Sequence, residues 1–180
     1  MGPWVQEQFY PLLKLWLGAA MTAPPRIFID NQMEDGSHWP SNLSDSLLRS
    51  RYMIAIWAPP YFGSAWCMAE WESMAAREEL LGLGRGAVTG LVHPLRYFDG
   101  ESFPTKAKQL QTPDYSPYSS LPPGKRSRLY QKFEAEVKAL SLTVAARLDS
   151  IPPWNANWPV IKQPEVQPQP SIPFDSVGLK

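Results

Sequence analysis

Two short runs, Arg26-Ile-Phe-Ile-Asp30 and Tyr52-Met-Ile-Ala-Ile-Trp57, constrain this chain more than any other feature. Both are apolar at consecutive positions, without the alternation of a half-exposed strand. Each stops abruptly, the first at an acid and the second at Ala58-Pro59-Pro60. A strand apolar at successive positions must be covered on both faces, the condition of a parallel sheet between helices. The intervening segments supply those helices. Ser41 or Ser44 can cap one that carries Leu43, Leu47 and Leu48, and Ser64 caps a second from about Ala65 to Leu81. Val88 to Leu95 contains a third strand, near 89–95, with its core at Leu91-Val92. Leu129, Phe133, Val137, Leu140, Val144 and Leu148 recur at intervals of three and four, which predicts a long amphipathic helix near 126–149. At the N-terminus Val5, Phe9, Leu12, Leu13, Trp16 and Leu17 form another helical stripe. Pro11 lies inside it and predicts a kink or a late start. The alternation of helix and strand gives an α/β fold with a parallel sheet and strands near 26–30, 52–57 and 89–95.

A chain of 180 residues with 44% hydrophobic residues can build one core, which sets residues 1–150 as a domain. Beyond it, Pro152, Pro153, Pro159, Pro164, Pro168, Pro170 and Pro173 read as an extended tail over 151–180. Trp154 and Trp158 are expected to pin its start, and 160–180 to pack only locally. The 17 basic and 17 acidic residues balance, which argues against nucleic acid as a partner. One cysteine and two scattered histidines leave no disulfide framework and no expected metal site. No apolar run reaches membrane-spanning length. Gln6 breaks the myristoylation pattern, and no basic leader precedes the apolar N-terminus. A soluble cytoplasmic protein is the expectation.

Ligands of open parallel sheets bind beyond the carboxyl ends of the strands. That rule singles out Asp30 with its loop, residues 58–64 and residues 96–99. Neither GxGxxG nor GxxxxGK[ST] occurs, so no common phosphate cradle is present. Cys67 with His38 or His93 as base would make a nucleophile, but a lone cysteine early in a helix is more often packing. His93 inside a strand reads as a satisfied core residue, and His38 as a solvated loop residue. Glu70 and Glu72 lie two apart on a helix and point to nearly opposite faces, so they cannot work as a pair. Trp66 and Glu70, four apart, share a face. The expectation is that Glu70 and Trp66 line one wall of a cleft while Glu72 faces away.

The order of these residues resembles a Toll/interleukin receptor (TIR) domain of the bacterial and plant branches. The resemblance rests on Ile27-Phe-Ile-Asp30, a loop ending Asp35-Gly-Ser-His-Trp39, Leu47-Leu-Arg-Ser-Arg51, a strand, and then Pro60-Tyr-Phe-Gly-Ser-Ala-Trp-Cys-Met-Ala-Glu70. It covers about residues 4 to 150 and is strongest over 27–72. It implies a flavodoxin-like sheet and, in many members, cleavage of NAD⁺ as substrate with no resident cofactor. It puts the catalytic carboxylate at Glu70 and the substrate-lining positions at Trp66, Asp30, Trp39 and Tyr61. It also implies self-association, or association with other TIR domains, through the 31–40 loop and helix faces. The family's opening strand, of the Phe-Ile-Ser-Tyr kind, has no counterpart here, because the sequence begins at the first helix. Two other readings of the same residues are a non-catalytic assembly module and a nucleoside deoxyribosyltransferase-like enzyme.

Overall fold

The computed structural model describes residues 1–23, 25–29, 47, 49–84, 89–120 and 127–161. Its first long helix, α1 (Tyr10–Ala20), follows without a break from a helical turn at Gly2–Trp4 and a π-helical stretch at Val5–Phe9. Pro11 therefore neither kinks the chain out of the helix nor delays its start. It has no N–H to bond back to residue 7, and its ring crowds the preceding turn. The wider π turn just before it makes room, with Tyr10 N–H bonding to the Val5 carbonyl.

Strand β1 (Met53–Trp57) leads through a short helix α2 (Pro59–Gly63) into α3 (Ala65–Leu80). The chain returns as β2 (Val92–Arg96), parallel to β1, with Met53 opposite Val92 and Trp57 opposite Arg96. Pro94 sits inside β2. Tyr97 N–H reaches the Trp57 carbonyl, while Arg96 N–H reaches the Pro113 carbonyl on the other side. Residue 94 is in phase with 96, so its missing N–H faces away from β1 and costs that ladder nothing. A parallel bridge between Arg96 and Asp114 extends the sheet past β2. A short helix α4 (Thr105–Lys108) and a 3₁₀ turn (Ser116–Tyr118) precede the long helix α5 (Arg128–Ser150), whose first turn is capped by the Ser127 hydroxyl.

The strand expected at 26–30 is not formed among the described residues. Residues 25–29 have no regular structure, and Asp30 lies outside the described set. In a flavodoxin-like sheet the strand that precedes the first helix lies between this segment and β1. Among the described residues, 25–29 meets no neighbouring ladder. Ile27 still packs against the core, while Phe28 is exposed. The helix expected around Leu43 to Leu48 falls mostly outside the described residues, with Leu47 buried.

Successive β1 side chains divide between two cores. Tyr52, Ile54 and Ile56 face the first, made by α1 and α5 around Trp4, Phe9, Leu13, Phe133 and Val137. Ala55 and Trp57 face the second, with Met74 of α3, Leu91, Val92 and Phe103. This is the helix–sheet–helix sandwich that apolar parallel strands require.

The chain after α5 turns back onto α3. Trp154, one of the two expected anchors, is partly exposed, whereas Ile151 and the other anchor, Trp158, are buried. Two arginines hold the segment. Arg51 donates to the carbonyls of Leu148, Ile151 and Pro152. Arg77, with no exposed surface, donates to the carbonyls of Leu47 (3.0 Å), Ser50 (2.9 Å) and Pro159 (3.0 Å) and lies over the Trp158 ring. Burial pushes the Arg77 pKa down, but a guanidinium keeps its charge in a protein. The Ser73 hydroxyl accepts from Ile161 N–H. The expectation for the tail beyond residue 161 lies outside the described residues.

Candidate active site

The carboxyl end of β1 and the start of α3 carry the residues singled out from the sequence. Trp57 closes the strand, Ala58 is extended, and Pro59 and Pro60 start α2 where a missing N–H does no harm. Ser64 is the N-cap of α3, its hydroxyl accepting from Cys67 N–H at 3.3 Å. Trp66, Cys67 and Glu70 fall in the first two turns, with Trp66 and Glu70 four apart on one face. Trp66 and Glu70 are half-buried and Glu72 is exposed. The next residues on the inner face, Ala69, Ser73, Met74 and Arg77, are buried and fix the helix against the sheet.

Tyr61 is buried at the bottom of this region. Burial pushes its hydroxyl pKa up, and the nearby Cys67 and Glu70 push it further, so the phenol stays protonated. Tyr61 is thus brought together with Glu70 and Cys67, while Trp66 is placed with Glu70 by the helix. Asp30, Trp39 and His38 lie outside the described residues. His93 is placed far from a solvated role: it is buried in β2, its Nδ1 3.1 Å from the Tyr52 hydroxyl.

An aromatic floor supports the site. The Trp57 ring lies 5.3 Å from Phe62, 5.4 Å from Trp71 and 6.1 Å from Phe103, and Phe62 lies 4.7 Å from Phe103. Trp57 and Arg77 are the residues that sequence reasoning passed over. The signal for Arg77 was its spacing, three beyond Met74 and four beyond Ser73, on the buried stripe. For Trp57 it was a nitrogen-bearing ring at the end of an apolar strand.

At the same sheet edge, beyond β2, Arg96, Phe103, Ala107, Lys108, Leu110 and Thr112 line a cleft of about 340 Å³. Arg96 pairs there with Asp114 at 2.6 Å, and Lys108 Nζ donates to the Glu101 carbonyl. Burial raises the Asp114 pKa, but hydrogen bonds from Ser116 and Arg96 outweigh it and leave the carboxyl below its ordinary value. Among the described residues, no group of three or more His, Cys, Asp or Glu is placed to hold a metal ion. No described helix is long and apolar enough to cross a membrane.

No curated protein and no solved structure matches the chain. The family profile described as TIR domain matches residues 13–118, which includes most of α1, both strands, and the helix with Trp66 and Glu70. With more than half its length matched, and with helices on both faces of a parallel sheet, this chain belongs to the TIR domain family.

Proposed function

We propose that this TIR domain is an NAD⁺ nucleosidase whose catalytic carboxylate is Glu70. What supports the reading is one juxtaposition: Trp66 and Glu70 share a face in the first turns of a helix that starts at the carboxyl end of β1, with Tyr61 beneath them. The bond from nicotinamide nitrogen to ribose C1′ breaks with its electron pair leaving on the nitrogen. Positive charge then grows on the ribose. A carboxylate beside that carbon stabilises the oxocarbenium-like state, as in glycoside hydrolysis. Because pyridinium is already a good leaving group, no general acid is needed and a single carboxylate suffices. Trp66 offers a flat surface for a ring of the substrate. Water adding at C1′ and losing a proton gives ADP-ribose, whereas an adenine nitrogen adding there gives a cyclic product. Asp30 and Trp39 would complete the substrate contacts. Association of copies through the 31–40 loop would complete the cleft, in a cytoplasmic signalling or defence setting.

The test is nicotinamide release from NAD⁺ by the purified protein at rising concentration. Glu70→Gln keeps shape and hydrogen bonding but removes the charge. A contribution of about 3–4 kcal/mol corresponds to a rate loss of roughly 10²–10³. Glu72→Gln, on the exposed face, should leave the rate unchanged. Equal rates for wild type and Glu70→Gln would remove Glu70 from the mechanism.

A second reading, a non-catalytic assembly module, draws on the sheet itself. Among the described residues β1 is paired on one side only, by β2, and a strand edge that remained unpaired would suit association with another chain. Absence of nicotinamide release at high protein concentration, with concentration-dependent assembly retained, would favour it.

A further inference from the structure

The chemistry proposed at Glu70 leaves one cleft unused. It is lined by Arg96 at the end of β2 and by Gly100, Glu101, Phe103, Ala107 and Lys108 from the loop and helix α4 that follow. Its place beyond the carboxyl end of a parallel strand is where ligands of such sheets bind. The base is apolar and already packed. Phe103 is 6% exposed and Ala107 2%. The Phe103 ring is held by Phe62 at 4.7 Å and by Trp57 at 6.1 Å. Gly100 keeps the space open, because a Cβ there would already touch the Arg96 Cδ and the Phe103 ring, each at 3.6 Å.

The polar groups of the cleft are chiefly donors. Arg96 Nη2 meets Asp114 at 2.6 Å, but Nε is buried without a partner, so the five-donor guanidinium is short of acceptors. Lys108 Nζ donates to the Glu101 carbonyl at 2.6 Å, a neutral group, and forms no ion pair among the described residues. The opposing charge is the Glu101 carboxylate, on an exposed residue. We infer that this cleft binds a small organic oxyanion, with one flat ring set on Phe103 and a carboxylate or phosphate group held by Arg96 and Lys108. An apolar cavity of about 150 Å³ holds benzene, so the 340 Å³ here admits one substituted ring and not a whole dinucleotide. Charge alone gives little hold, since Asp114 offsets Arg96 and Glu101 opposes Lys108. The ring supplies the rest by covering Phe103. Such a ligand is separate from the NAD⁺ of the nucleosidase reading and needs nothing from Glu70.

The test titrates the full ¹⁵N-labelled chain with phenyl phosphate, benzoate, inorganic phosphate and benzyl alcohol, followed by NMR. The first two carry both ring and oxyanion, and their order of affinity tells which oxyanion is preferred. Inorganic phosphate lacks the ring and benzyl alcohol lacks the charge. Each of these should bind at least about tenfold more weakly than the better ring-bearing anion. Shifts should centre on the amides of Gly100, Phe103 and Lys108 and reach the indole signal of Trp57, whose buried N–H has no partner. Two variants carry opposite signs. Lys108→Gln removes the attracting charge and should weaken phenyl phosphate binding roughly five- to tenfold. Glu101→Gln removes the opposing charge, keeps the carbonyl that receives Lys108, and should tighten binding about two- to threefold. Damage to the fold does not produce a gain, so the pair separates recognition of charge from loss of structure. Inorganic phosphate binding as tightly as phenyl phosphate would overturn the inference. So would shifts centred away from the cleft, unchanged affinity in both variants, or no saturation by any probe up to about 10 mM.

Discussion

Acid should weaken this fold through His93. The residue is 5% exposed in β2, and burial pushes its pKa down from 6.5 to about 4. Burial also raises the Tyr52 hydroxyl pKa far above neutrality, so Tyr52 remains a donor. Its hydroxyl lies 3.1 Å from Nδ1 and, being both donor and acceptor, can bond either neutral tautomer of the ring. Protonating the ring would place a positive charge in the core, and burial is what opposes it. Because the folded pKa lies below the unfolded one, the unfolded chain takes up the proton first. Stability is then complete above about pH 6.5, declines as the pH falls toward 4, and levels off below. A gap between 6.5 and about 4, at roughly 1.4 kcal/mol per unit, comes to about 3.5 kcal/mol. Other acid-sensitive groups contribute to any single curve, so the informative quantity is a difference between two proteins. In His93→Asn an amide oxygen takes the place of Nδ1 and accepts from Tyr52, but nothing titrates. Urea unfolding followed by tryptophan fluorescence, between about pH 7.5 and 4.5, gives both stabilities. Wild type should lose about 2–3 kcal/mol more than His93→Asn over that range. Parallel curves for the two proteins would refute the argument, since they would mean that His93 titrates alike in folded and unfolded chains.

The arginine clasp makes further predictions. Arg77→Met keeps volume and removes charge, so it relieves desolvation but strands three carbonyls. Those of Ser50 and Pro159 are in part-buried bonds and can recruit water, while that of Leu47 is buried. A net loss of about 3 kcal/mol is expected in the urea midpoint, and a gain would show that desolvation dominates. Trp158→Ala removes a 5%-exposed ring that lies against Arg77 and should cost about 3–5 kcal/mol. Truncation after residue 157 should be at least as damaging, whereas truncation after 161 should leave the melting temperature within a few degrees.

What was legible in the sequence follows from periodicity. The 3.6-residue stripe from Phe133 to Val144 sets the long helix, and Ser127 caps it just where the stripe begins. The unalternating run before Pro59 is a strand because both its faces are covered. The run at 26–30 has the same local signal and forms no strand among the described residues, where β1 and β2 pair with each other and not with it, and a strand exists only through its neighbour. Glu70 and Trp66 were legible as a motif at helical spacing. Trp57 was not, since an orphaned indole N–H is a property of three-dimensional packing. The spacing of Arg77 put it on the buried stripe, but its partners are backbone carbonyls at 47, 50 and 159, which no side-chain pattern announces.

The same clasp decides how the chain answers to mechanical load. Tension applied beyond residue 161, by a tethered neighbour or an anchored tail, does not reach the end of α5 first. It reaches the bond from Ile161 to Ser73 and the bond from Pro159 to Arg77, both of them on α3. That helix carries Glu70 less than one turn from Ser73 and about two turns from Arg77. A pull on the tail is therefore felt by the helix that carries Glu70 before the sheet or the long helix takes any strain, and Ser73 and Arg77 are the points where it enters.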